Sequence, residues 1–155
     1  QAGSAAGIDA LVAEQSINGS GPVGAGETNN GTVSDVLPIY NAISVNGAAV
    51  SICSVDDNGR YNKLGNREYL RVSIPAAGNY TFTMTRTSGA VSTDPDFNIL
   101  QGKLVFGRAL SSENNVETLS RNLNAGIYLI DAYDANNTQQ STTQADSCFD
   151  FAITD

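Results

Sequence analysis

Between Arg67 and Arg86 apolar and polar side chains alternate with little interruption: Leu70, Val72 and Ile74 against Tyr69, Arg71 and Ser73, then Tyr80, Phe82 and Met84 against Thr81, Thr83 and Thr85. A period of two places alternate residues on opposite faces of an extended chain, so each arm predicts a strand with one buried and one solvated face. Pro75-Ala76-Ala77-Gly78-Asn79 separates them. Proline has no N–H for a ladder and glycine tolerates positive φ, so this stretch reads as a tight connection joining the two strands.

The same pattern recurs in short pieces along the chain. Val36–Tyr40, Ile43 with Val45, and Val50 with Ile52 predict two or three short strands around an Asn46-Gly47 turn. Phe97, Ile99 and Leu100 predict another. Leu104–Phe106 follows after Gly102, and Val116–Leu123 alternates again. Ile127–Tyr133 is apolar on both faces, as expected of a central strand covered on both sides. Ser, Thr, Asn and Gln fill the loop from Asp134 to Asp146, and Cys148, Phe149, Phe151 and Ile153 close the chain, with Asp150 expected to face water at an edge. Seven to nine short strands at roughly ten-residue spacing predict an all-β fold, an antiparallel β-sandwich of jelly-roll or Greek-key type.

Before these strands the pattern is weaker. Ile8, Leu11 and Val12 allow a brief helix over 8–16, and Gly, Asn, Ser, Pro and Thr dominate from Asn18 to Gly31. Residues 1–33 therefore read as an N-terminal arm and linker or loop, and residues 34–155 as the sandwich domain. The chain begins at Gln1, as a processed mature protein or an excised segment would. At 155 residues it is long enough for one substantial core.

Charge and cysteine usage narrow the context. With 8 basic and 16 acidic residues the net charge is −8, which repels phosphate backbones and makes nucleic acid a poor partner. No apolar run is long enough to span a bilayer as a helix. Cys53 and Cys148 are the two cysteines. Paired, they would close a loop of roughly 95 residues, for which chain entropy gives up to about 4.7 kcal/mol, and would indicate an oxidising compartment; the alternative is two buried thiols. Two thiols without histidine do not make a metal site.

Three segments taken together resemble the bacterial pre-peptidase C-terminal domain family: Ile74-Pro75-Ala76 with its partner Tyr80-Thr81-Phe82-Thr83-Met84, the strand start Asp94-Pro95-Asp96-Phe97, and Leu123-Asn124-Ala125-Gly126-Ile127-Tyr128. The likeness covers residues from about Val45 to Ile153, departing from the family's common form in the long Gln/Ser/Thr loop and in the cysteine positions. It implies a β-sandwich, export, an upstream catalytic domain in the same precursor, and in some relatives calcium or matrix binding.

The candidate chemistry is sparse. A histidine-dependent hydrolase is excluded because the chain contains no His. Paired carboxylates, Asp94 with Asp96 or Asp131 with Asp134, leave a small carboxylate-dependent hydrolase as one alternative. Calcium is the better use of such groups, because a hard cation takes six to eight oxygen ligands. Asp94, Asp96 and Asn98 would share a strand face. Asp131, Asp134 and Asn136 form a second cluster and Asp56, Asp57 and Asn58 a third; for the first cluster the competing role is turn capping by Asp94 ahead of Pro95. Tyr61, Tyr69 and Tyr133 are the candidate ligand-binding aromatics, against the plain reading of isolated surface tyrosines. The expectation is a secreted or periplasmic, non-catalytic accessory module of an exported hydrolase, aiding secretion, stability or substrate attachment. A calcium-dependent carbohydrate- or matrix-protein-binding module is the first alternative.

Overall fold

The computed structural model describes residues 41–54, 66–102, 104–112, 115–138 and 145–155. The arm and linker expected over 1–33, the apolar piece 36–40, the Asp56-Asp57-Asn58 cluster and Tyr61 lie outside these residues.

Among the described residues nine strands form two sheets: β1 (Asn41–Ile43), β2 (Val50–Ser54), β3 (Arg67–Ile74), β4 (Gly78–Gly89), β5 (Pro95–Gln101), β6 (Leu104–Ala109), β7 (Val116–Leu123), β8 (Gly126–Asp134) and β9 (Ser147–Thr154). A four-residue helix, α1 (Ala135–Thr138), follows β8. The five-stranded sheet runs β1-β3-β8-β5-β6 and the four-stranded sheet β2-β9-β4-β7. Pairing is antiparallel except between β1 and β3, which are parallel with Asn41 opposite Leu70.

The segment Arg67–Arg86 does supply the two alternating strands, but they are not ladder partners. β3 pairs with β1 and β8, whereas β4 pairs with β7 and β9 in the other sheet. Pro75–Ala77 thus carries the chain across the sandwich. Period two specifies which side of each strand is buried and says nothing about which strand it bonds to. Here the buried faces of β3 and β4 meet each other across the core instead of lying side by side in one sheet. Among the described elements only β5 and β6 are consecutive strands of one sheet, joined through Gly102, whose φ of 57° is a left-handed conformation that favours glycine.

Leu70, Val72, Ile74, Phe97, Ile99, Tyr128 and Ile130 from the larger sheet meet Ile52, Phe82, Met84, Phe149, Phe151 and Ile153 from the smaller one. Phe97 packs edge-on against Phe151 with ring centroids 5.0 Å apart. The sandwich closes along β6 and β7, where Gly107 leaves room for a neighbour: a Cβ there would lie 2.7 Å from Leu119 Cδ2.

Two expectations about the last strands are corrected. β9 lies between β2 and β4, so Asp150 is half-buried on the outer face of an interior strand and not at an edge. β8 is central in its sheet, yet its outer side is open at Ile127, which is 41% exposed. Cys53 and Cys148 form a disulfide between directly opposed residues of β2 and β9, with Cα atoms 4.1 Å apart. That spacing matches the closer of the two antiparallel pair types.

One end of the sandwich is built from a repeated corner. Tyr80 donates its hydroxyl to the Ala76 carbonyl at 2.8 Å, and Tyr128 donates to the Asn124 carbonyl at 3.1 Å. Both tyrosines complete an Ala-Gly-x-Tyr sequence at the start of a strand, and the register pairs Ile74 with Gly126 and Gly78 with Leu123. The two crossings between sheets therefore sit together and use the same hydrogen bond.

Candidate functional site

The opposite end of the sandwich gathers most of the candidate polar residues. β5 and β8 are neighbours, with Pro95 opposite Asp134, Asp96 opposite Tyr133 and Asn98 opposite Asp131. The two separate sequence clusters are thus brought together. They do not converge on one point.

Alternation along β8 sends Asp131 and Asp134 to opposite faces. On the outer face, Asp131 Oδ2 accepts from the Arg67 guanidinium at 2.5 Å and from Asn98 Nδ2 at 3.3 Å. Arg67 also lies over the Tyr133 ring, 4.0 Å from its centroid. Tyr69 stands opposite Asp131 in the register, so Tyr69 and Tyr133 share this face, as their sequence positions suggested. Next to them is an apolar row: Leu129 pairs with Leu100, which pairs with Val105, and Arg71 ends the row on β3. Val105 is 45% exposed.

On the inner side, Asp134 ties together the chain around α1. Its Oδ1 accepts from the backbone N–H groups of Asp94 (3.1 Å) and Asn136 (3.0 Å), and its Oδ2 accepts from the Ser147 hydroxyl at 2.7 Å. This is a capping role, the competing reading given for Asp94 in the sequence but carried out by Asp134. Asn136 donates from its side chain to the Ser92 carbonyl. Asn137, fully buried, donates to Ser54 Oγ (2.8 Å) and the Ala145 carbonyl (2.7 Å) and accepts from the Ala145 N–H (3.1 Å).

This network was not legible in advance. Its residues sit in what reads as a uniform polar loop, and nothing in a run of Asn, Ser and Thr marks the one amide that enters the core. Glu68 was also missed. The alternation of β3 places it on the buried face, and a count of that face beyond Leu70 would have found it.

Burial dominates the electrostatics here. Glu68 is 3% exposed, and loss of hydration pushes its carboxyl up to about 8. Asp96 is also pushed up to about 8, first by burial and then by repulsion from Asp94, Glu117 and Asp134, against relief from Arg67. Burial likewise raises Asp94, Asp131 and Asp134 above the usual carboxylate range; Arg67 opposes the shift at Asp131, and hydrogen bonds from Ser147, Asp94 and Asn136 oppose it at Asp134. Glu68 Oε2, Asp94 Oδ1, Asp96 Oδ1 and Asp131 Oδ1 are buried oxygens without a hydrogen-bond partner among the described residues. No three acidic or cysteine side chains among the described residues are placed to hold one metal ion.

Fold and site together define a disulfide-linked, two-sheet β-sandwich whose candidate carboxylates are gathered at one end of neighbouring strands β5 and β8. No family model matches the sequence, and comparison with curated proteins returns no match. Among solved structures the chain is similar to the pre-peptidase C-terminal domain of collagenase from Bacillus anthracis, at 9% identity and a TM-score of 0.56, covering 74% of this chain and 94% of that one. A looser likeness, at a TM-score of 0.38 and 14% identity, is to the PliG periplasmic inhibitor of g-type lysozyme from Aeromonas hydrophila, covering 74% of this chain and 99% of that one. At 9% identity the likeness to the collagenase domain is one of fold.

Proposed function

We propose that this chain is a non-catalytic accessory β-sandwich of an exported hydrolase, with a peptidase as the favoured parent, and that it attaches that enzyme to an insoluble substrate. The observation that carries the reading is the coincidence of sequence motif and architecture. The three segments that resemble the pre-peptidase C-terminal family fall at the Pro75 crossing, the start of β5 and the Tyr128 corner of a sandwich that superposes along most of such a domain. The disulfide supports an oxidising, extracellular or periplasmic setting. Against a catalytic role, Asp131 is engaged by Arg67 and Asp134 by three protein donors, and both are at least nine-tenths buried.

The outer face of the five-stranded sheet is the surface offered for attachment. Tyr69, Tyr133 and Arg67 lie beside the row of Leu129, Leu100 and Val105, a combination of flat apolar contact and oriented donors suited to a polysaccharide or a fibrous matrix protein. Co-sedimentation with insoluble collagen, cellulose and chitin tests this. Retention on one of these, reduced at least tenfold by Tyr69→Ser with Tyr133→Ser, is the expected result. Retention indifferent to that pair, retention on none of the three, or turnover of chromogenic peptide or glycoside substrates by the chain alone would count against it.

A further inference from the structure

Glu68 is a carboxylic acid placed on the core side of a sandwich strand. Its register partner on β8 is Ala132, and its strand neighbour Leu70 is fully buried in the core. Beside it is a cavity of about 10 Å³, roughly the space for a single water, into which Met84 of β4 and Phe149 of β9 also project. The titratable groups facing it are few. Among the described residues, β8 contributes Asp134, which lies on the same inner face; Tyr133 and Cys53 alternate to the outer faces of their sheets, and β4 and β9 contribute no titratable group. The nearest cation in sequence, Arg67, points to the other side of the sheet and is held by Asp131. An ionised Glu68 would therefore meet chiefly hydrocarbon and, among the described residues, no cation, with one oxygen already lacking a hydrogen-bond partner there. A neutral carboxyl fits this setting and a carboxylate does not.

We propose that Glu68 is a proton-operated latch: protonated, it keeps the α1 end of the sandwich closed, and on losing its proton it draws water between the sheets and loosens that end. The elements it would release are those whose side chains are tied there by hydrogen bonds, Ser54 at the end of β2 and Asp134–Asn137 at the end of β8 and in α1. The direction follows from linkage. A carboxyl that holds its proton to about 8 in the closed form, against 4.5 ordinarily, keeps the proton that the opened form sheds, so the closed state loses ground as pH rises from about 5 to 8. The module would be tight in mildly acidic surroundings and loose in alkaline ones.

Hydrogen exchange on the whole chain, corrected for the intrinsic pH dependence of exchange, reads the opening directly. In the wild type the opening constant around Glu68 on β3 and β8 should rise roughly 50-fold between pH 6 and 8, while Glu68→Gln should change less than twofold over the same range. A wild-type profile that tracks Glu68→Gln overturns the proposal. Should Glu68→Gln fail to fold, carboxyl-carbon NMR of the wild type decides: a Glu68 midpoint above 6.5 supports the latch and one below 6.5 overturns it.

Discussion

Replacing Arg67 by leucine tests the outer face most directly. The guanidinium has 18% of its side chain exposed and the Asp131 side chain 11%, and their closest atoms are 2.5 Å apart. Leucine removes the charge but keeps apolar bulk against Tyr133, so the main change is an uncompensated, buried Asp131 carboxylate. Removing one partner of a buried pair costs about 3–5 kcal/mol, to which loss of the cation over the Tyr133 ring adds on the order of 1 kcal/mol. Burial already raises Asp131, and Arg67 opposes that shift, so the variant drives this carboxyl further toward the neutral form. The defect should therefore be largest at neutral to alkaline pH and shrink on acidification as Asp131 takes up a proton. Combining Arg67→Leu with Asp131→Leu removes both charges; the double variant should return to within about 1 kcal/mol of the wild type, because burying a matched apolar pair is close to neutral. Urea unfolding at pH 7 is the assay. With a slope of about 2 kcal/mol per molar, the single variant should lower the midpoint by roughly 2–3 M at unchanged slope. A single-variant loss below about 1 kcal/mol, or a double variant no more stable than the single, would show that the pair does not hold this face together.

Two further outcomes test the rest of the frame. Tyr80→Phe and Tyr128→Phe each delete one corner hydrogen bond while keeping the ring, and each should cost about 0.5–1.5 kcal/mol, near-additively, in urea titrations; wild-type stability in both would mean that the corners are packing features only. Cys53→Ala with Cys148→Ala should lower stability by up to about 4.7 kcal/mol in thermal unfolding but leave the far-ultraviolet circular dichroism unchanged, because five register pairs still join β2 to β9; loss of strand signal would show that the crosslink is what keeps β2 in place.

Much of this fold is present in local patterning. Period-two alternation located β3 and β4, β7, and β9, because half-buried strands imprint burial on every second residue whatever they pair with. The pairing of Cys53 with Cys148 was within reach of simple counting. Two of the three carboxylate clusters considered for a cation and two of the three tyrosines are neighbours in the structure, yet their arrangement could not have been read in advance. Asp131 and Asp134 are three residues apart, and in a strand an odd separation places them on opposite faces, one beside Arg67 and one beneath Ser147.

The sequence by itself determined most of the strand content, the buried faces of the alternating strands β3, β4, β7 and β9, and the turn residues, since these depend on side chains a few positions apart. The tertiary structure alone decided that β3 and β4 belong to different sheets, that Asn137 enters the core, and that Glu68 has no cation beside it among the described residues. Those outcomes depend on which strands lie next to each other, and hydrophobic patterning is the same for a residue facing a neighbour in its own sheet's core layer or one from the sheet opposite.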